Sequence, residues 1–330
     1  MTTNNETETP LWVPSPEAVA ASGMVAFSGL VKERHGVSLD TYDALYGWSI
    51  AQPELFWDAV WDFTGVIGDK GARILTDGGL MPGAAFFPDA RLNFAENLLR
   101  GEGSEIALHF NNEGEMREPM TRAALRRDVA RLAAVLKSWG VTEGDRVAAF
   151  MPNCPEVIVA MLAAASIGAV FSSCSPDFGA KGVLDRFGQI EPKVLIACDG
   201  YRYAGKVLPA HDKLAEIIEG LPTLEHVAVV PFIGEGPKGL AKAEDWTTLL
   251  ATRPDAELSF ARLPFAHPLY IMYSSGTTGI PKCIVHSAGG TLLQQLKEHR
   301  LHCDLKPGET LFYFTTCGWM MWNWLVSGLA

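Results

Sequence analysis

Residues 156–171, EVIVAMLAAASIGAVF, form the longest apolar run in the chain and restrict its fold more than any other stretch. A membrane-spanning helix needs about twenty apolar residues. This run is shorter and is interrupted by Ser166 and Gly168, so it belongs in a protein interior. Pro155 suits the first turn of a helix, where a missing N–H costs nothing, and Gly168 suits a left-handed C-terminal cap. The run is therefore predicted to be a buried helix that stops near Gly168 and leads into a strand, AVFSSCSP (169–176).

The same alternation continues on both sides. A helix from Thr121 to about Trp139 places Leu125, Val129, Leu132 and Leu136 on one face, and Gly140 follows as a stop. DRVAAFMPN (145–153) reads as a strand and turn, Phe178 to Ile190 as a helix, and KVLIAC (193–198) and HVAVV (226–230) as further strands. Short apolar runs alternating with helical patterns imply a parallel sheet covered on both faces, an α/β fold. Residues 231–265, with several Gly, Pro and charged residues, read as a surface excursion.

Ahead of this region the chain is rich in aromatics. Pro53 can open a helix in which Phe56, Val60 and Phe63 recur at helical spacing, with Trp57 and Trp61 widening the apolar face. Packing explains such aromatics better than ligand binding. The first residues, 1–12, are polar and acidic and are expected to form a disordered tail without a secretory signal.

A chain of 330 residues, 48% hydrophobic and 20% charged, has material for a large core and more than one lobe. A net charge of -11 and the lack of any Lys/Arg block argue against nucleic acid as a partner. The six cysteines, at 154, 174, 198, 283, 303 and 317, are widely spaced and read as buried, reduced thiols in a cytoplasmic protein. Cys303 near His299 and His302 is too sparse a set for zinc, and no structural metal is expected. Neither a membrane partner nor an oligomeric state is indicated.

The chemistry concentrates in YSSGTTGIPK (273–282), between two strand-like segments. Gly276 and Gly279 let backbone N–H groups approach an anion, Ser274, Ser275, Thr277 and Thr278 add side-chain donors, and Lys282 supplies a point charge behind Pro281. The spacing is not that of the common nucleotide-binding glycine loop. A plain polar turn would have no need of the lysine.

This run resembles the phosphate-binding loop of the adenylate-forming enzymes, the superfamily of acyl-CoA synthetases, peptide-synthetase adenylation domains and luciferases. The longer stretch 272–324 is similar to the acetoacetate-activating branch. Most of the superfamily has glycine after the loop lysine, whereas here Cys283 is followed by Ile284, Val285, His286 and Ser287. The resemblance extends from about Tyr42 to Ala330, and ARLNFAENLL (90–99) is similar to the N-terminal cap of the acetate- and acetoacetate-activating branches.

The resemblance implies the N-terminal part of the adenylate-forming fold, with mostly parallel sheets covered by helices. A cap would occupy 13–104 and an incomplete adenylation domain 105–330. It implies ATP-dependent ligation of acetoacetate to CoA through an acetoacetyl-adenylate, releasing AMP and pyrophosphate, with Mg2+ on the phosphates. Lys282, Thr277 and Thr278 would be catalytic, and Ser274, Ser275, Gly276, Thr277, Thr278, Gly279 and Lys282 would hold the ATP phosphates. Arg202 and Lys206, in DGYRYAGK (199–206), lie where basic residues meet the 3′-phosphate of CoA, and solvated surface charge is the alternative. Trp319 and Met320, in TTCGWMMWNW (315–324), would wall the acyl pocket, while Trp322 and Trp324 read as core.

The family's downstream motifs, including an adenine-binding segment, a ribose-binding aspartate and a C-terminal domain with a catalytic lysine, have no counterpart before Ala330. The expectation is an N-terminal fragment, inactive or impaired alone. Two alternatives stay open: a related short-chain acyl-CoA synthetase using acetate or propionate, and a non-catalytic truncated protein that binds a nucleotide or partner.

Overall fold

A computed structural model of the chain describes residues 10–113, 115–274 and 279–330. The expected tail lies outside the described residues for its first nine positions, and Pro10 to Trp12 are exposed, without helix or strand. The chain divides into two compact units, one running to Gly65 and including Lys297–Glu309, the other comprising Val66–Leu296 and Thr310–Ala330.

The second unit holds the sheet. Its main elements are α1 (Arg122–Ser138), β1 (Arg146–Phe150), α2 (Pro155–Ser166), β2 (Val170–Cys174), α3 (Ala180–Phe187), β3 (Val194–Cys198) and α4 (His211–Gly220). There follow β4 (His226–Val230), β5 (Ala243–Asp245), α5 (Trp246–Ala251), β6 (Pro268–Tyr273), β7 (Cys283–Ser287), α6 (Ala288–Lys297) and α7 (Met320–Ser327). Seven strands pair in the order β5-β4-β3-β1-β2-β6-β7. All neighbours are parallel except β6 and β7, which form an antiparallel hairpin.

Every residue of β2 and β3 is buried, as a strand covered on both faces requires. Ala148, Phe150, Leu195, Ala197, Val227 and Val229 pack with Val183 and Phe187 of α3 and with Leu214 and Ile217 of α4. The alternate residues turn to the opposite face, which accounts for the strands' continuous apolar character. The long apolar run becomes α2 and β2. Ala169 N–H donates to the Ala164 carbonyl at 3.0 Å and Gly168 N–H to that of Ala165 at 3.2 Å, a Schellman stop with Gly168 at φ +81°. A side chain there would be strained and would also meet Leu263.

ARLNFAENLL packs against the end of this helix. Asn93 is fully buried, and its side-chain amide donates to the carbonyls of Ala165, Ser166 and Ala261 at 3.0, 3.1 and 3.0 Å. Arg91–Leu92 also sits between Gly68–Asp69 and Leu263–Pro264 in a small antiparallel sheet.

Three expectations need correction. Residues 231–265 are more than a surface excursion: Ala243–Asp245 extends the main sheet and α5 buries Trp246 and Leu249. The helix expected over 178–190 covers only Ala180–Phe187. Of the six free thiols, four are buried, whereas Cys283 and Cys303 are exposed.

In the first unit, helices Gly23–His35, Tyr42–Ala51 and Pro53–Phe63 are joined by a π-helical turn, Glu298–His302. Phe27 is fully buried and meets Phe56 and Phe63 edge-on, with ring centroids 5.8 and 5.4 Å apart. The aromatics after Pro53 therefore build a core. Asp304 accepts the Gly23 N–H at 2.7 Å, satisfying one donor at the start of the Gly23–His35 helix. Among the described residues no group of three or more His, Cys, Asp or Glu side chains is placed to hold a metal.

Candidate active site

Strand order reverses around β1: β2 lies on one side of it and β3 on the other. In open parallel sheets the crevice beyond the carboxyl ends of strands at such a reversal is where ligands bind. Three parallel strands, β1, β2 and β3, deliver Met151–Cys154, Ser175–Asp177 and the segment from Asp199 to that edge, and β6, parallel to β2, delivers the residues after Tyr273.

The β6–β7 hairpin is closed at its base by Ser274 and Lys282. Ser274 N–H donates to the Lys282 carbonyl at 3.0 Å, and Lys282 N–H donates to Ser274 Oγ at 3.2 Å. Gly279 sits at φ +110° with open space where a Cβ would be, so its conformation is what calls for glycine. Pro281 is buried and Lys282 exposed. Of the expected phosphate contacts, Ser275, Gly276, Thr277 and Thr278 lie outside the described residues.

Tyr273, at the entry to the loop, is held from inside the sheet. Ser172 Oγ lies 3.1 Å from its hydroxyl and 2.8 Å from the Ile271 carbonyl. Burial raises the Tyr273 phenol far above the ordinary tyrosine value, so it stays neutral. The Arg186 guanidinium, on α3, lies 4.4 Å from the Phe178 ring centroid and 5.9 Å from that of Tyr273.

Residues 315–319 lie across the same edge. Ser173 Oγ donates to the Cys317 carbonyl at 2.6 Å, and Cys317 Sγ donates to the Met151 carbonyl at 2.9 Å. Burial pushes the Cys317 thiol upward and those of Cys174 and Cys198 to about 12. Thiolate chemistry at these positions is thereby excluded near neutral pH.

Trp319 is 62% exposed and precedes α7. It lines an open cleft of about 340 Å³ with Tyr313, Phe314, Thr315, Thr316 and Met321. Met320 begins α7 but does not line this cleft. Trp322 is fully buried, as expected of a core residue, whereas Trp324 is only half-buried. Met321, which adjoins Met320 in the same motif, is thus a cleft residue that the motif alone does not single out.

Arg202 and Lys206 stand exposed on a hairpin that follows β3. Its two-residue turn has Ala204 at φ +50° and Gly205 at φ +72°, both left-handed, the geometry of a type I′ turn. Their N–H groups converge on the Glu113 carboxylate at 2.8 and 2.5 Å. Asp199, fully buried at the root of this hairpin, accepts the N–H groups of Ile233, Glu235 and Gly236, which fixes the loop beyond β4.

A sequence model described as "AMP-binding enzyme" matches residues 95–330. The chain belongs to the AMP-binding enzyme family. The "Acetyl-coenzyme A synthetase N-terminus" model matches residues 42–98 of this AMP-binding enzyme, the stretch ending in ARLNFAENLL. An acetoacetyl-coenzyme A synthetase from Rhizobium meliloti is 54% identical over 98% of this chain and 50% of its own length. The solved structure of acetoacetyl-CoA synthetase from Streptomyces lividans superposes with a TM-score of 0.92 at 47% identity, over 97% of this chain and 50% of the other. A malonamoyl-CoA synthetase from Penicillium aethiopicum is 41% identical over 97% of this chain and 46% of its own length. The chain spans about half the length of the curated relatives it matches. The mainly parallel seven-stranded sheet is that of the N-terminal domain of adenylate-forming enzymes, the fold class expected from the sequence.

Proposed function

We propose that this chain supplies the ATP-phosphate and acid-binding part of an AMP-forming acid:CoA ligase whose acid is acetoacetate. The observation that supports the reading is the β6–β7 hairpin, which brings Ser274, Gly279 and Lys282 to the carboxyl edge of a parallel sheet. In the first step the acid's carboxylate attacks the α-phosphorus of ATP and pyrophosphate leaves. In the second the CoA thiol displaces AMP and forms the thioester. The protein's share of the first step is orientation and the uptake of charge on the leaving pyrophosphate. Lys282 and donors from Ser274, Ser275, Thr277, Thr278 and the glycines at 276 and 279 take that role.

Magnesium would enter bound to the ATP phosphates and offset their charge, since the described residues gather no protein cage for it. Arg202 and Lys206 present two cations beside the Ala204–Gly205 turn for the 3′-phosphate of CoA. Trp319, with Met321 beside it in the same cleft, would wall the acid. Residues 13–104 would serve as the cap and 105–330 as the first part of the adenylation domain. A cytoplasmic setting agrees with six unpaired cysteines. Among the described residues no helix is long and apolar enough to cross a membrane.

One specific observation favours a second acid. The malonamoyl-CoA synthetase relative points to malonamate, which carries –NH2 where acetoacetate carries –CH3 and has nearly the same shape. A site that differs only in whether it pairs that amide would separate the two. The test is an acid panel of acetoacetate, malonamate, acetate and propionate in a thioester-formation assay, on this chain and on a protein extended to the relatives' length. Acetoacetate should show the highest kcat/KM. A preference for malonamate would change the acid while keeping the chemistry, and a preference for acetate would sink the acetoacetate assignment.

A further inference from the structure

Lys282 is gripped from outside its own hairpin. Gln189, two residues past α3, donates its side-chain amide to the Pro281 carbonyl at 2.8 Å, and its side-chain oxygen lies 3.7 Å from Cys283 Sγ, which donates to it. One amide thus touches the residues immediately before and after Lys282. The same Nε2 donates to the Asp185 carbonyl at 2.6 Å, so both amide donors and the acceptor are engaged.

α3 also reaches the strand that enters the loop, because Arg186 lies 5.9 Å from the Tyr273 ring. Positions three apart on a helical path share a face. Arg186 therefore braces the entering strand while Gln189 braces the leaving one.

A lysine is a point charge on a flexible four-carbon stem, so its placement at a phosphate depends on where its backbone is held. Within the hairpin, Ser274 holds Lys282's own N–H and carbonyl. A glycine after the lysine would leave Gln189 with the Pro281 clasp alone, whereas Cys283 supplies a second.

We propose that Gln189 is a positioning residue for Lys282, with Cys283 as its second clasp, and that it acts on the ATP step. The inference rests on reading Lys282 as a phosphate contact. The test is a double-mutant cycle in acid-dependent ATP–pyrophosphate exchange, using a protein extended to the relatives' length and following its melting temperature in parallel.

Gln189→Ala should lower kcat/KM for ATP about fivefold, the size expected of a neutral hydrogen bond. The KM for the acid and the melting temperature should hold. Cys283→Ala should show a smaller loss that Cys283→Ser restores, because a hydroxyl can also donate to Gln189. In a Lys282→Ala background, Gln189→Ala should cost nothing further. An equal cost in both backgrounds, no cost in either, or a loss shared by every substrate together with a lower melting temperature would overturn the positioning role while leaving Lys282 in place. A silent Lys282→Ala would remove the phosphate reading itself, and this inference with it.

Discussion

The Trp322 indole N–H donates to Asn153 Oδ1 at 2.9 Å, tying α7 to the loop after β1. Asn153 in turn reaches the Thr315 carbonyl at 3.4 Å, so the edge of the candidate cleft is fastened to the central strand. The indole is fully buried and its centroid lies 6.4 Å from that of Phe171.

Trp322→Ala should therefore cost about 3–5 kcal/mol of stability, the range for deleting a buried aromatic. Trp322→Phe should cost less, having kept most of the apolar volume and lost one hydrogen bond of about 1 kcal/mol. Trp319→Ala, at an exposed position, should change stability by about 0.5 kcal/mol or less and act instead on the KM for the acid. Urea unfolding of the three variants checks the ranking. Equal destabilisation by Trp319→Ala and Trp322→Ala would show that the two tryptophans do not differ in burial.

Asn93 offers a sharper contrast. Its amide donates to three carbonyls in a fully buried setting, so Asn93→Asp would place a carboxylate among acceptors that it cannot satisfy. That variant should be destabilised more than Asn93→Ala, which should lose about 2–3 kcal/mol from unpaired carbonyls. Thermal unfolding at neutral pH measures both. The reverse order would mean that this site takes up charge readily.

The Cys283–Ser287 strand carries a pH response. Burial lowers the pKa of His286, whose ring centroid lies 5.2 Å from that of Tyr270. Tyr270 stays neutral, since burial pushes its phenol up to about 12. The unfolded chain binds a proton on this histidine at about pH 6.5, before the folded chain does. Stability from His286 is thus fully present above about 6.5 and is lost as pH falls from there through its lowered folded value. Chemical denaturation between pH 8 and 5 should show less acid sensitivity in His286→Gln than in the parent. Identical slopes would remove His286 as the source.

Some of this was legible in the sequence for a plain reason. The run 156–171 has one dominant property and two punctuating residues, and α2, its Schellman stop at Gly168 and β2 follow from those alone. Thr121 suits a helix start, and its side chain accepts the Ala124 N–H at 3.1 Å. By contrast, Ala243–Asp245 is a three-residue strand with two acidic positions, and only its pairing with β4 makes it a strand. Gln189 carries no local signal for this role, because its partners on the hairpin lie 92 and 94 residues away. Met320 and Met321 are indistinguishable by composition, and the turn into α7 decides which of them lines the cleft. Cys283 looks apolar in sequence context, yet it lies on an exposed edge strand.

The central claim is that the loop ending at Lys282 binds the phosphates during acid activation. It is tested most directly by Lys282→Ala in a protein extended to the relatives' length, with two rates compared: acetoacetate- and ATP-dependent adenylate formation, and CoA thioester formation from supplied acetoacetyl-adenylate. Losing a charge that stabilises the leaving pyrophosphate should slow the first about a hundredfold or more. The second, in which no pyrophosphate leaves, should stay close to the parent's rate. Equal adenylation rates in variant and parent would contradict the account.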